Sequence, residues 1–465
     1  MSRLHLVSAI CVCLCCLILP GLQTLAAAGE AAPPTLEELA KENASLRQEM
    51  EALKKLMQDI LKPKDAAPAD MTLIERVEAL EKKTPPGKSP VLSSFKANIY
   101  GFIKLDGSYS TGRIYPGNYA MYVLSEGTRK NDDQFNLTAN ETRLGLDIAG
   151  PQTDGMITSG KIEFDFYGGG AENKSNPMLR QAYAKLDWPE SSFSVLAGQT
   201  WDIISPLAPN SLNYLVLGCA GNAGYRRPQV QLTKKVDMQD CLLTLQGGIA
   251  RTIGRTSGFD PGDSGEDAGF PTVEGRTALS FPLLTNQPTT IGVSGHYGEE
   301  EYDIDAGNRH VMFRSWSANV DVVMPLVPKM LSVRGEAFTG DNLNAFVAGI
   351  NQGVNTTAGS SREITTHGGW FAFTFTPPAR AAEGAPAPES PWEFNVGAGV
   401  DNPSDTDLTG MANAATRNQA VFVNSIYKIN KATTVGLEVS KWKTDYNDRA
   451  SGDAFRFESA LKYSF

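Results

Sequence analysis

The sequence predicts an all-β fold, an antiparallel transmembrane β-barrel of about sixteen strands preceded by an N-terminal α-helical coiled-coil arm. Three observations carry this. Apolar spacing is heptad-like near the N-terminus and switches to a period of two from Phe95 onward. The connections between the period-two segments alternate between short and long. The chain then ends on a strand with an aromatic last residue, FRFESALKYSF, Phe455 to Phe465.

With 20% charged and 41% hydrophobic residues in 465, the composition is that of a folded chain. The opening stretch has one early Arg3, an apolar run from Leu6 to Leu19, and the small residues Ala26 and Ala28. This is the pattern of a secretory signal peptide over residues 1–28. The run is short for a membrane span of about 20 residues and is followed by Pro20 and Gly21. Cys11, Cys13, Cys15 and Cys16 lie inside it, which leaves Cys219 and Cys241, paired or free, in an oxidising compartment. The net charge of −10 becomes more negative once Arg3 is removed and offers nothing to nucleic acid. No later run approaches about 18 apolar residues, which excludes helical spans but not spanning strands.

Residues 29–62 read as a periplasmic coiled-coil segment. Leu36, Asn43, Met50 and Met57 fall at heptad position a, and Leu39, Leu46, Leu53 and Ile60 at d. Glu42 and Glu49 then occupy g, with Arg47 and Lys54 at the following e, so parallel neighbours pair opposite charges. A single amphipathic helix packed on its own domain is the alternative. Residues 63–94 are a Pro-punctuated linker with a short second helix holding Leu73, Val77 and Leu80.

From residue 95 to 465 the period is two. In FKANIYGFIKLDGSY, Phe95, Ala97, Ile99, Ile103 and Leu105 share one face, and Lys96, Asn98, Lys104 and Asp106 the other. The pattern recurs fifteen times, down to the closing strand. Connections such as PES, KKVDMQD, PLVPK and KINKA are short, whereas 110–139, 199–226, 251–271, 339–368 and 401–418 are long and polar. Short turns on one rim and long loops on the other are what an up-and-down barrel in an outer membrane presents. The Pro/Ala-rich stretch 377–391 is an exception.

The faces separate this barrel from a soluble sandwich. Outward positions are apolar, with Trp188, Phe193, Phe281, Trp392 and Phe465 near the short-turn end as an interfacial girdle. Inward positions carry Lys104, Arg143, Glu163, Asp165, Lys185, Arg276, Asp321, Arg334, Glu336, Arg456, Glu458 and Lys462. Keeping such a set dry costs several kcal/mol per unpaired ion, so a wet interior is expected. Sixteen strands leave room for an aqueous channel.

Catalytic and metal motifs do not appear. Beyond the signal the histidines are His296, His310 and His367, with no HExxH, no Cys-x-x-Cys and no phosphate-cradling loop. Ser294 and His296 are two apart on one strand face, a minimal constellation for a barrel hydrolase, but one that chance also produces in serine-rich strands. DPGDSGEDAG, Asp260 to Gly269, lacks calcium-loop spacing and reads as a solvated outer loop, which could also bridge lipopolysaccharide through divalent ions. No cofactor or metal is expected. The loop 199–228, QTWDIISPLAPNSLNYLVLGCAGNAGYRRP, is unusually apolar, which fits a segment folded into the lumen as a constriction, or packed between protomers.

The segments YGFIKLDGSY, TRLGLDI, GKIEFDFYG, RQAYAKLDW and GQTWDIISP, with the signal, the heptad arm and RRPQ after the Gly-rich loop, together resemble the DcaP-like trimeric outer-membrane porins. The resemblance implies a homotrimer of sixteen-stranded channels in the outer membrane with a periplasmic arm. Such channels pass small hydrophilic solutes, anionic dicarboxylates among them, by passive diffusion. By motif position it makes Arg143 and Arg227 candidate lining residues. Strand parity alone adds Lys104, Lys185, Arg276, Arg334 and Arg456. The resemblance also implies that Tyr463 and Phe465 are presented to the barrel-assembly machinery. The competing function is an outer-membrane anchor whose arm binds a periplasmic or cell-wall partner.

Overall fold

The computed structural model describes residues 95–465 apart from 128–131, 170–173, 255–264, 304–309, 358–360 and 380–388. The expected signal, coiled-coil arm and linker lie outside the described residues. What is described is one antiparallel sheet closed on itself into a sixteen-stranded barrel.

Strand β1 is Lys96–Ser110, and β2 runs in two stretches, Gln134–Thr138 and Arg143–Thr153. Strands β3 to β8 are Met156–Asp165, Met178–Trp188, Phe193–Trp201, Arg226–Met238, Cys241–Ala250 and Thr272–Pro282. Strands β9 to β12 are Pro288–Asp303, His310–Val327, Leu331–Asp341 and Thr365–Phe375. Strands β13 to β16 are Trp392–Pro403, Ala415–Lys428, Thr433–Tyr446 and Gly452–Ser464. Each of the sixteen alternating segments in the sequence falls on one of these strands. Each strand pairs with its sequence neighbours, and β1 closes the ring by pairing with β16, Phe102 opposite Ser464 through Ser110 opposite Arg456. Closure leaves no open edge, as a membrane-spanning sheet requires.

The outer face is apolar: Ile99, Phe135 and Leu437 are 70%, 74% and 64% exposed. Such a surface is stable only in contact with lipid or protein. At the short-turn rim Trp188 stacks on Phe193 and Trp392 on Phe394, each with ring centroids 5.7 Å apart. These rings match the interfacial aromatic belt of membrane barrels.

Two bulges alter the faces. Three residues of β1, 103–105, oppose the four residues 139–142 that interrupt β2, so Thr138 and Arg143 both point inward despite their opposite parity. On β3 the register shifts between Glu163 and Phe164, which pair with Gln181 and Leu179, and Arg180 is the extra residue.

The interior is not uniformly wet, which corrects the expectation from the charged inward positions. Inward-facing Trp370, Phe422 and Trp442 on β12, β14 and β15 pack with Ile114, Val123, Leu217 and Ala220 from two inserted loops. A second apolar cluster joins Ile204 and Ala223 to Phe338, Leu343 and Phe346. Burying such side chains stabilises by about 1.5–3 kcal/mol each, so the long loops after β1, β5 and β11 gain more by folding inward than by standing in water.

Candidate functional site: a loop strapped inside the barrel

Between β5 and β6 the chain leaves the wall at Asp202 and returns at Tyr225. Its apolar, proline-interrupted composition removes it from the sheet, and its backbone N–H groups then need acceptors. Inward carboxylates supply them in sequence around the wall. Ile203 N–H donates to Glu274 Oε2 on β8 at 2.6 Å, and Leu207 N–H to Glu336 Oε1 on β11 at 2.7 Å. Asn210 Nδ2 donates to Glu393 on β13 at 2.9 Å. Leu212 N–H and Ser211 Oγ both donate to Glu438 on β15, at 2.8 and 2.9 Å. Lys104 Nζ on β1 then donates to the Leu212 carbonyl at 3.1 Å. On the far wall the Tyr214 hydroxyl donates to Asp165 Oδ2 at 2.8 Å, and burial pushes that phenol's pKa up, which keeps it a donor.

The return limb is fixed at Gly221, whose N–H donates to Asp401 Oδ1 at 2.8 Å. Its φ of +108° and its close approach to the wall, where an added Cβ would lie 2.1 Å from the Gly369 carbonyl oxygen, admit only glycine. The base is closed by Asp202, which accepts from Arg227 Nε at 2.8 Å, from Arg227 Nη2 at 3.2 Å, and from Tyr225 N–H at 2.9 Å.

The seven basic candidates divide by what they touch. Lys104, Arg227 and Arg456 are 6%, 2% and 1% exposed, which corrects the expectation that they face water. Lys104 is ion-paired to Asp106 at 3.0 Å and Glu141 at 2.6 Å. Arg227 also lies over the Phe346 ring at 4.0 Å. Arg456 bonds Glu458 at 3.2 Å and the Gly117 and Asn118 carbonyls at 2.9 and 3.3 Å, tying down the loop after β1. The physical reason is common to all three: inserted loops bring their own carbonyls and carboxylates to cations that an empty barrel would leave in solvent. Arg276 is held by Asp321 in a two-point contact at 2.9 and 2.6 Å. Lys185 pairs with Asp187 at 3.0 Å near the short-turn rim, with both side chains partly exposed. Arg334 reaches the Ala208 carbonyl at 3.4 Å and has no ion pair among the described residues.

Arg143 is different. Its guanidinium lies 5.1 Å from the Phe102 ring centroid, its Nε is 3.8 Å from Glu163, and that nitrogen has no hydrogen-bond partner. Lys462 lies over the same ring at 5.0 Å, without a carboxylate within ion-pair distance among the described residues. Phe102 therefore carries two cations on the lumen side of β1. Sequence reasoning missed Arg180, which bonds Glu163 at 2.9 Å and Asp165 at 2.6 Å, because the bulge that turns it inward breaks the period of two. It also missed Asp202 and Glu274, whose roles depend on where the loop goes. Cys219, buried in the loop with its Sγ 3.7 Å from Asn351 Oδ1, and Cys241, at the opposite rim, are not joined to each other by a disulfide.

Among solved structures, the chain is similar to the outer-membrane channel DcaP of Acinetobacter baumannii, with 20% identity over 80% of this chain and 98% of that one and a TM-score of 0.64. The fold is that of an outer-membrane porin. The same fold is shared with an anion-selective porin from Comamonas acidovorans, 10% identical over 80% of this chain and 100% of that one, TM-score 0.51. It is shared again with OmpF of Salmonella typhi in complex with daunomycin, 12% identical over 80% of this chain and 98% of that one, TM-score 0.51. No protein-family model and no curated protein matches. At these identities it is the porin fold that is shared, and the residues of the site must be argued from this chain alone.

Proposed function

We propose that the chain forms a water-filled channel for passive diffusion of small hydrophilic solutes across the outer membrane of a Gram-negative cell, with a preference for anions. The filter is the lumen level bounded by the inserted loop and the opposing wall of β1 to β4 and β16. The protein assembles as a homotrimer with its coiled-coil segment in the periplasm, its apolar outer wall in lipid beside lipopolysaccharide, and its last strand read by the barrel-assembly machinery.

One observation carries the anion preference. Counted along the inward face, carboxylates nearly balance cations. Glu274, Glu336, Glu438 and Asp401, however, are turned onto backbone N–H groups of the loop or its neighbours, and Asp202 and Asp321 onto arginines. Arg143 and Lys462 have no such bonds. A permeating solute therefore meets two cations without a hydrogen-bonded carboxylate in a confined lumen: Lys462, with no carboxylate within ion-pair distance among the described residues, and Arg143, 3.8 Å from a Glu163 that Arg180 already holds. Planar-bilayer recording tests this: the purified oligomer conducts, with anions more permeant than cations. A preparation that never conducts would overturn the channel.

A further inference from the structure

At the long-loop rim a cavity of about 310 Å³ is walled chiefly by Tyr115, Tyr119, Tyr167, Tyr214, Tyr225 and Asn344. Five of the chain's fourteen tyrosines thus converge on one space contributed by the loops after β1, β3, β5 and β11. Its volume lies at the lower end of small-molecule sites. The rings brace one another: Tyr167 and Tyr214 are 4.0 Å apart, and Tyr119 stands edge-on to Tyr167 at 5.3 Å. Tyr214 is further fixed by Asp165 and by Arg180 Nη1 at 3.2 Å.

The walls select against charge. None of the lining residues is Asp, Glu, Lys, Arg or His, so a charged guest would form no direct ion pair with the walls. A cationic guest would meet Arg180, 5.8 Å from the Tyr214 ring, and Arg226, 4.8 Å from the Tyr225 ring, behind the aromatic wall. What the cup offers is flat apolar faces edged by phenol hydroxyls and one amide. The matching guest is neutral, with an apolar ring face and a rim of hydroxyls. We propose that this cup binds a pyranose ring of a neutral mono- or disaccharide, which stacks on the tyrosines before entering the channel; the uptake role rests on the channel reading, whereas the binding does not.

The test is calorimetric titration of maltose and cellobiose into the purified full-length oligomer in detergent, with bilayer conductance measured on the same preparation. The expected result is saturable binding of at least one disaccharide. It weakens about five- to tenfold in Tyr119→Ala or Tyr167→Ala, as loss of one ring stack implies, and persists in Tyr167→Phe. Tyr119→Leu, which keeps the volume, serves if the smaller side chain fails to fold, and is expected to weaken binding similarly. Absence of binding to both sugars, equal binding by folded variants that lack a ring, or preferential binding of phenol overturns the proposal. An oligomer that binds sugar without conducting overturns the channel and leaves the cup standing; one that conducts and ignores both sugars overturns the cup alone.

Discussion

Asp202 and Arg227 meet across the base of the inserted loop at 2.8 and 3.2 Å, and the same carboxylate accepts the Tyr225 N–H at 2.9 Å. One side chain thus fixes where the loop leaves the wall and where it rejoins it. Asp202→Ala strands the Arg227 guanidinium in a buried setting, a change of about 3–5 kcal/mol for a broken buried pair. The expected outcome is a lower unfolding temperature in detergent, together with larger and noisier single-channel conductance as the loop loosens. Unchanged conductance in a folded Asp202→Ala oligomer would mean that the loop does not set the constriction.

At the loop's far side Gly221 supports a sharper test. A side chain there collides with the backbone at Gly369 and is strained by the positive φ. Gly221→Val is expected to lift the return limb from the wall while the barrel's circular-dichroism spectrum stays unchanged. The change appears as altered conductance and as faster proteolysis within 202–225.

Cys219 is fully buried, whereas Cys241 begins β7 at the short-turn rim and is half-buried. Maleimide labelling of the folded protein is therefore expected at Cys241 and not at Cys219, with both labelled after unfolding. Identical mobility on reducing and non-reducing gels checks that no disulfide joins them.

The terminal Phe465 exchanges backbone hydrogen bonds with Gly101, 3.1 Å in each direction, at the seam between β1 and β16. Because the rest of that seam is already paired, deletion of Phe465 is expected to leave detergent refolding nearly intact. The amount of protein assembled in cells is expected to fall. Equal cellular levels of the full and shortened chains would remove the assembly-signal role.

Much of the barrel was legible because period-two alternation and loop parity are direct consequences of a sheet with lipid on one side. The inserted loop was legible too, since Leu215, Val216 and Leu217 have no place in a water-facing loop. The chemistry of the lumen was less so. Trp370 lies in a run where Trp370 and Phe371 are both aromatic, so alternation could not reveal that its inward face is dry. Arg180 and the Gln134–Thr138 stretch depend on bulges, which change parity without any residue signature. Strand parity puts Arg456, and motif position Arg227, on the lumen side, but their burial depends on acceptors brought from more than 300 and from 25 residues away along the chain. A single strand's pattern carries no such information.

The pair on Phe102 supplies the remaining variant. Arg143→Glu combined with Lys462→Glu replaces two cations that lack a hydrogen-bonded carboxylate with carboxylates in the same space and is expected to shift permeability toward cations, whereas the exposed Lys441→Glu on the outer face leaves it unchanged.

The most direct test is the zero-current potential of the unmodified channel in a potassium chloride gradient across a planar bilayer. The positive charge of Arg143 and Lys462 on the lumen side of Phe102 predicts a potential with the sign of chloride preference, weakened at high ionic strength as screening grows. A potential of the opposite sign, or no conductance from a folded oligomer, would contradict the account.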